Sequence, residues 1–308
     1  MKIKITHARS GKCVLDILKD ELSFSSSAIT FLKNRENGIT VNGEHATVRR
    51  VLEYGDILNI EYSDVESTAV KSVKPVDLEI DIIHCDRDMV IVNKPPYMPT
   101  HPSHEHQNDT LANALAYYFK DLKRPFVFRA VNRLDSQTSG LVIVARNKIS
   151  AQRLSEDIAF GHVHKQYFAV LHGKIDTPVG TIDLPISLAE DSKMIRTVNE
   201  NGTNALTKYE TLASNEMYSA VLAAPITGRT HQLRVHFSHV GHRICGDTLY
   251  GYPNYYIDRQ ALHAYSLSLP HPSTGEMMQF TAPLPNDIKK LCKNVFSDDD
   301  RKILKNFY

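Results

Sequence analysis

Asn132-Arg133-Leu134-Asp135-Ser136-Gln137-Thr138-Ser139-Gly140-Leu141 is the stretch on which the reading of this chain turns. Before it lies the apolar group Phe126-Val127-Phe128, and after it the run Leu141-Val142-Ile143-Val144-Ala145, entered through Gly140. A short unbroken apolar run behind a glycine predicts a buried strand, so the polar residues between the two groups form a loop that feeds a sheet. Loops held by rigid strands are where catalytic groups concentrate. Taken alone, Asp135 with Thr138-Ser139-Gly140 reads better as a hydrogen-bonded turn than as a catalytic loop. The decision has to come from the rest of the chain.

Outward from this loop, strands alternate with helices. Met89-Val90-Ile91-Val92 predicts a second buried strand, ending in Asn93-Lys94-Pro95-Pro96. Asn147 to Phe160 predicts a helix that Gly161 is placed to stop. Tyr167 to Leu171 and Tyr218 to Ala223 predict further strands. Mixed order of this kind implies an α+β catalytic domain over residues 77–308, with a central mixed and mainly antiparallel sheet. A small amino-terminal α/β domain is expected over residues 1–62. In it Val14, Leu15, Ile17, Leu18 and Leu22 recur at helical spacing, and Ser25-Ser26-Ser27 can cap a second helix carrying Ile29, Phe31 and Leu32. Ile39-Thr40-Val41-Asn42-Gly43-Glu44 is then a strand entering an Asn-Gly turn, and Tyr54-Gly55-Asp56 introduces a last strand over Ile57 to Ile60. Residues 63–76 are polar, contain Pro75 and lack a sustained period, which predicts a linker.

Composition narrows the class. The chain has 308 residues, 42% of them hydrophobic and 23% charged, ordinary values for a globular protein with a real core. No apolar run approaches the ~20 residues of a membrane-spanning helix, and the start Met1-Lys2-Ile3-Lys4-Ile5-Thr6 lacks a signal-peptide core. A cytoplasmic protein is expected. Cys13, Cys85, Cys245 and Cys292 lie far apart, against a zinc site and consistent with free thiols. The net charge of +1 is uninformative, but its distribution is uneven. Residues 120–174 hold ten Lys/Arg against four Asp/Glu, whereas 175–228 hold three against seven. A basic segment around the central loop suits a phosphate backbone, although a solvated basic face has the same composition.

Three separated segments resolve the ambiguity of the loop. Arg133-Leu134-Asp135-x-x-Thr138-Ser139-Gly140-Leu141, Lys165-Gln166-Tyr167-Phe168-Ala169-Val170-Leu171-His172-Gly173 and Gly228-Arg229-Thr230-His231-Gln232-Leu233-Arg234-Val235-His236 occur in this order. Together they resemble the motifs of RluA-like pseudouridine synthases. Asn93-Lys94-Pro95-Pro96, Thr100-His101-Pro102-Ser103 and Gly246-Asp247-x-x-Tyr250-Gly251 are similar to flanking segments of that family, so the likeness runs from about residue 78 to Pro283. Members commonly carry His at the place of Asn132, whose amide can still donate and accept hydrogen bonds. Residues 10–62 resemble the small RNA-binding domain first named from a ribosomal small-subunit protein. Such domains often have an Arg near the start of the second helix, where this chain has Ser26-Ser27.

The resemblance implies a pseudouridine synthase-like fold and an RNA uridine isomerase that needs no cofactor and no metal. Its implied partner is RNA, with the amino-terminal unit favouring ribosomal over transfer RNA; nothing in the sequence calls for a membrane or a partner subunit, and a monomer is expected. Asp135 corresponds to the essential carboxylate, acting as nucleophile on base or sugar or abstracting a sugar proton. Tyr167 corresponds to the tyrosine that stacks on the base and offers a hydroxyl, and Arg234 to the late arginine that keeps Asp135 ionised. Arg133 would fill the space left by a flipped uridine, or hold a phosphate. Lys165 and Arg229 are expected to support the site or the RNA backbone, with Asn132, Thr138 and Leu233 supporting the loop and helix. If Thr230 to Val240 is helical, Leu233, Phe237 and Val240 form its packed face and Arg234 projects away from it. The histidine groups His101-x-x-His104-x-His106 and His231, His236, His239, His242 lack a convincing metal-ligand spacing. Two other readings fit some of these residues: an RNA-binding or ribosome-assembly protein with an inactive site, and a metal hydrolase using Asp135 with histidines.

Overall fold

The computed structural model describes residues 2–22, 24, 26–61, 73–122 and 126–308. The first elements are β1 (Lys2–Lys4), α1 (Val14–Asp16), α2 (Ser26–Lys33), β2 (Ile39–Val41), β3 (Glu44–His45) and β4 (Ile57–Ile60). Their strands form an antiparallel sheet in the order β1-β4-β2-β3. Asn42 and Gly43 both have positive φ, 54° and 91°, which the tight β2–β3 turn requires and which Asn-Gly tolerates best. The helix expected from Val14 to Leu22 is one α turn followed by a π segment over Ile17–Glu21, where the Leu22 N–H reaches the Ile17 carbonyl. Val14, Ile17, Leu18, Ile29, Leu32 and Leu58 bury against one another as a separate core. The cap expected from Ser25-Ser26-Ser27 rests on residues outside those described, as does most of the expected linker. At its end, Lys74 and Val76 are bonded through backbone groups to Asn113.

The second core begins with β5 (Asp81–Cys85), β6 (Met89–Lys94), α3 (Leu111–Tyr118), β7 (Ser139–Ala145) and α4 (Lys148–Ala159). It continues with β8 (His164–His172), β9 (Val179–Asp183), β10 (Ile186–Leu188), β11 (Arg196–Val198), β12 (Leu206–Ser214) and β13 (Tyr218–Pro225). The remaining elements are α5 (Gln232–His239), β14 (Leu262–Pro270), β15 (Met277–Thr281), α6 (Asn286–Val295) and α7 (Asp298–Leu304). The large sheet runs β5-β6-β7-β14-β8-β13-β12-β9, with β15 on β14 and a β10–β11 hairpin apart from it. Among the described residues every neighbouring pair of the large sheet is antiparallel except β7 with β14, where His263 and Ala264 lie opposite Ser139 and Gly140. The fold is α+β with a mixed, mainly antiparallel sheet.

All seven residues of β7 are buried, because both faces of the strand are covered. Leu141, Ile143 and Ala145 pack with Leu154 of α4, while Val142 and Val144 pack with Leu111 and Leu115 of α3. That explains why the strand reads as an unbroken apolar run instead of alternating. Asn147 caps α4 by accepting the Ser150 N–H at 2.8 Å, and Gly161 turns the chain at φ 78°. The α4 surface also meets the amino-terminal unit: Ile149 packs on its core and Arg153 Nη1 donates to the Leu22 carbonyl at 2.6 Å.

The expectation for α5 needs one correction. Leu233 and Phe237 are buried as predicted, but Val240 is 41% exposed. The helix ends at His239, and Gly241 at φ 90° swings the chain away before Val240 can reach the packed face. No helix among the described residues is long and apolar enough to cross a membrane.

Candidate active site

The loop before β7 is held at nearly every residue. The Asn132 amide mimics a strand partner: its Oδ1 accepts the Ile143 N–H at 2.7 Å and its Nδ2 donates to the Leu141 carbonyl at 3.4 Å. Thr100 Oγ1 donates to the Leu134 carbonyl at 3.0 Å and accepts the Leu134 N–H at 3.3 Å. Lys94, fully buried at the end of β6, donates from Nζ to the carbonyls of Pro95 and Met98 at 2.8 Å and of Ser136 at 3.1 Å. Burial, with the nearby charge of Arg259, brings its pKa down to about 7 against a smaller opposing pull from Asp135. Arg259, also fully buried, donates from Nη1 to the Gln137 carbonyl at 3.0 Å while paired with Asp287. Thr138 closes the turn through its N–H to the Asp135 carbonyl at 3.0 Å, and its Oγ1 accepts from Gln260. Gly140 has φ 109°, and a Cβ there would stand 2.3 Å from the Ala264 carbonyl oxygen. Only glycine fits.

This loop aims Asp135 into a cavity of about 330 Å³, the scale of sites that take small molecules or one extruded group. Arg234 rises from α5 beneath it. Its Nη1 donates to Asp135 Oδ2 at 2.8 Å, and its Nε and Nη2 grip Asp247 at 2.7 and 2.8 Å. Asp247 in turn accepts the N–H groups of Leu249 and Tyr250. Arg234 is only 7% exposed, so the expected projection from the helix ends inside the protein. Burial works against its charge, yet the two carboxylates more than offset that and raise its pKa. The arrangement holds one carboxylate against a guanidinium that a second carboxylate has already oriented.

Similarity to other proteins agrees with the geometry. Residues 88–239 match the RNA pseudouridylate synthase family. The chain is 39% identical over 273 residues to "Uncharacterized RNA pseudouridine synthase YjbO" of Bacillus subtilis (strain 168), covering 89% of this chain and 96% of that one. It is 34% identical over 239 residues to ribosomal large subunit pseudouridine synthase D of Escherichia coli (strain K12), covering 73% of each chain. The solved structure of human RNA pseudouridylate synthase domain containing 1 superposes with a TM-score of 0.56 at 30% identity, covering 67% of this chain and 83% of that one. The chain belongs to the RNA pseudouridylate synthase family. It is an isomerase acting on uridine in RNA.

The synthase brings all nine of the sequence-predicted site residues to this one cavity. Asn132, Arg133, Asp135, Thr138, Lys165, Tyr167, Arg229, Leu233 and Arg234 all line it. Tyr167 stands on β8, and burial with the neighbouring Asp135 charge raises the pKa of its phenol, which keeps its proton. Lys165, two residues earlier and on the same strand face, has its pKa lowered by burial alone. Arg133 is exposed at the rim near His101, and Arg229, also exposed, is tied by its Nε to the Asn204 carbonyl at 3.0 Å.

Several further residues of the family-like segments hold the site in place. Lys94, Thr100 and Asp247 each anchor the loop or the arginine. Arg259 lies outside any motif, and nothing in the sequence marks it. Asp86, Asp88 and His271 also converge, with possible ligand atoms within 4.8 Å of one another, a grouping no spacing rule joins. Their oxygens are engaged by protein donors: His84 and His271 on Asp86, and Asn147, Ser150 and Ser273 on Asp88. The knot ties the β5–β6 turn to α4 and to the β14–β15 turn.

Proposed function

We propose that Asp135 is the catalytic carboxylate of this synthase, that Arg234 holds it ionised, and that Tyr167 meets the target base. The observation that carries this is the 2.8 Å ion pair of Asp135 with Arg234 inside a cavity that also receives Tyr167. Replacing a carbon–nitrogen glycosidic bond by a carbon–carbon one needs no redox step, and one anchored carboxylate can serve as nucleophile or base. A phenol that keeps its proton can stack on a uracil and donate a hydrogen bond. Arg133 at the rim would enter the space of an extruded uridine, while Lys165 and Arg229 would support the site or the RNA backbone.

We assign ribosomal RNA as the substrate. Support comes from the name of the Escherichia coli relative, a ribosomal large subunit synthase, and from an amino-terminal unit whose Asn-Gly hairpin and helix pair suit RNA binding. In this reading, residues 1–62 form an RNA-binding domain joined by the 63–76 linker to a catalytic domain over 77–308. In the same reading the enzyme works as a cytoplasmic monomer, and Asp135, Tyr167 and Arg234 all reach the cavity from this chain.

The test is tritium release from RNA labelled at uridine carbon 5, because bond formation at that carbon expels its hydrogen. Wild-type protein should release tritium from ribosomal RNA of a strain lacking the gene, and Asp135→Ala should not. Equal release by both proteins removes Asp135 from the chemistry. Release from transfer RNA alone reassigns the substrate.

A further inference from the structure

His231 sits in an unusual conformation at the edge of the cavity. It is the N-cap of α5 with φ 57° and ψ 18°, a strained left-handed conformation that residues other than glycine rarely adopt. Its side chain makes no capping bond to the helix. Instead Nδ1 lies 2.8 Å from the Tyr250 hydroxyl, and Nε2 lies 3.6 Å from Asp135 Oδ1, the oxygen that Arg234 leaves open. The Tyr250 hydroxyl accepts the backbone N–H of Arg196 at 2.8 Å, which leaves its own proton free to point towards His231. A proton donated to Nδ1 leaves Nε2 as the protonated nitrogen of the neutral ring. The N–H of that tautomer faces the carboxylate.

We propose that His231, with its tautomer set by Tyr250, is a positioning residue for Asp135. In this role, which rests on the assignment of Asp135 above, Arg234 holds one carboxylate oxygen by charge while His231 turns a neutral N–H towards the other from 3.6 Å, outside hydrogen-bond distance. This contact biases the orientation of the carboxylate plane before RNA arrives, and the 3.6 Å gap leaves Oδ1 free to react. A second cation at that place would weaken the carboxylate as nucleophile or base. The neutral state of the ring follows from its surroundings. Burial and the guanidinium groups of Arg234 and Arg196 lower its pKa, against the opposing pull of Asp135 and Asp247. The left-handed backbone has a function in this view: it turns the imidazole off the helix end and towards the loop.

Steady-state tritium release and nitrogen NMR of the histidine rings test this in the full-length protein. Expected results are a kcat lowered ~10- to 100-fold in Tyr250→Phe and His231→Leu, with KM within about twofold of wild type. Partial recovery is expected in His231→Gln, whose amide N–H can take the place of Nε2–H. In the wild type, the His231 ring should show a proton on Nε2 alone, and in Tyr250→Phe a mixture of tautomers. Wild-type kcat in Tyr250→Phe, or a proton on Nδ1 in the folded wild type, overturns the proposal even if His231→Leu folds poorly. Asp135→Asn serves as the reference. If it retains activity, the assignment of Asp135 fails; if it is inactive while both relay variants match wild type, only the relay fails.

Discussion

A single ion pair at the residue scale shows how little of a charge's role is its own. Arg234 makes three hydrogen bonds to carboxylates, two to Asp247 and one to Asp135. The fork geometry is what allows both partners at once, and an ammonium cannot reproduce it. Arg234→Lys should therefore keep the charge yet lower kcat by ~100-fold, and leave Asp247 poorly satisfied at a cost of about 1–3 kcal/mol. Melting temperature and tritium release measured together separate the two losses. Asp135→Asn preserves shape and removes the anion; release should fall by about three orders of magnitude or more, with RNA binding retained in a filter assay. Loss of binding in step with activity would place Asp135 in RNA recognition.

The junction of β7 with β14 matters most at the element scale, since it is the parallel pair that delivers the loop. Gly140→Ala should destabilise the protein by about 3 kcal/mol or more, because the left-handed backbone is strained and the Ala264 backbone leaves no room. Denaturant unfolding checks this, and a loss below about 1 kcal/mol would mean the strands separate easily. His263 sets a pH dependence at the same junction. Its Nδ1 meets the Ser139 hydroxyl at 2.9 Å and its Nε2 the Ala282 carbonyl at 3.0 Å. Burial lowers its pKa to about 4, from 6.5 in the free residue. The folded state thus takes up the proton later than the unfolded chain. Its stabilising contribution is complete above about pH 6.5 and disappears as pH falls towards 4, by on the order of 3 kcal/mol. In His263→Gln this slope should vanish, so the stability difference from wild type must narrow between pH 7 and pH 4.

Two cores share one helix surface at the scale of the whole molecule. The amino-terminal unit packs its own apolar residues and touches α4 through Ile149 and Arg153. Removing residues 1–61 should leave turnover on a short stem-loop within about threefold of wild type. Affinity for intact ribosomal RNA should weaken at least ~10-fold, with a shallower dependence on salt because fewer phosphates are engaged. Binding isotherms at several salt concentrations report both. An unchanged salt slope would mean that the unit makes no phosphate contacts.

Local order was readable wherever the physics is local. The apolar run of β7, the Asn42-Gly43 turn, the Asn147–Gly161 limits of α4 and the motif segments around Asp135, Tyr167 and Arg234 each depend on neighbours within a few positions. The α+β class followed from their alternation. Val240 escapes the packed face because helical spacing says nothing about where Gly241 ends the helix. The parallel pairing of β7 with β14 joins residues more than a hundred positions apart, and no spacing rule reaches that far. The same holds for the buried charges. Lys94 under Ser136, Asp247 behind Arg234 and Arg259 under Gln137 are tolerable only because of what lies opposite them. Whether a charge is solvated, paired or poised depends on burial and on the partner supplied across the fold. The order of residues thus points to Asp135 as the proposed reacting group, and the packed structure alone supplied the contacts that orient it.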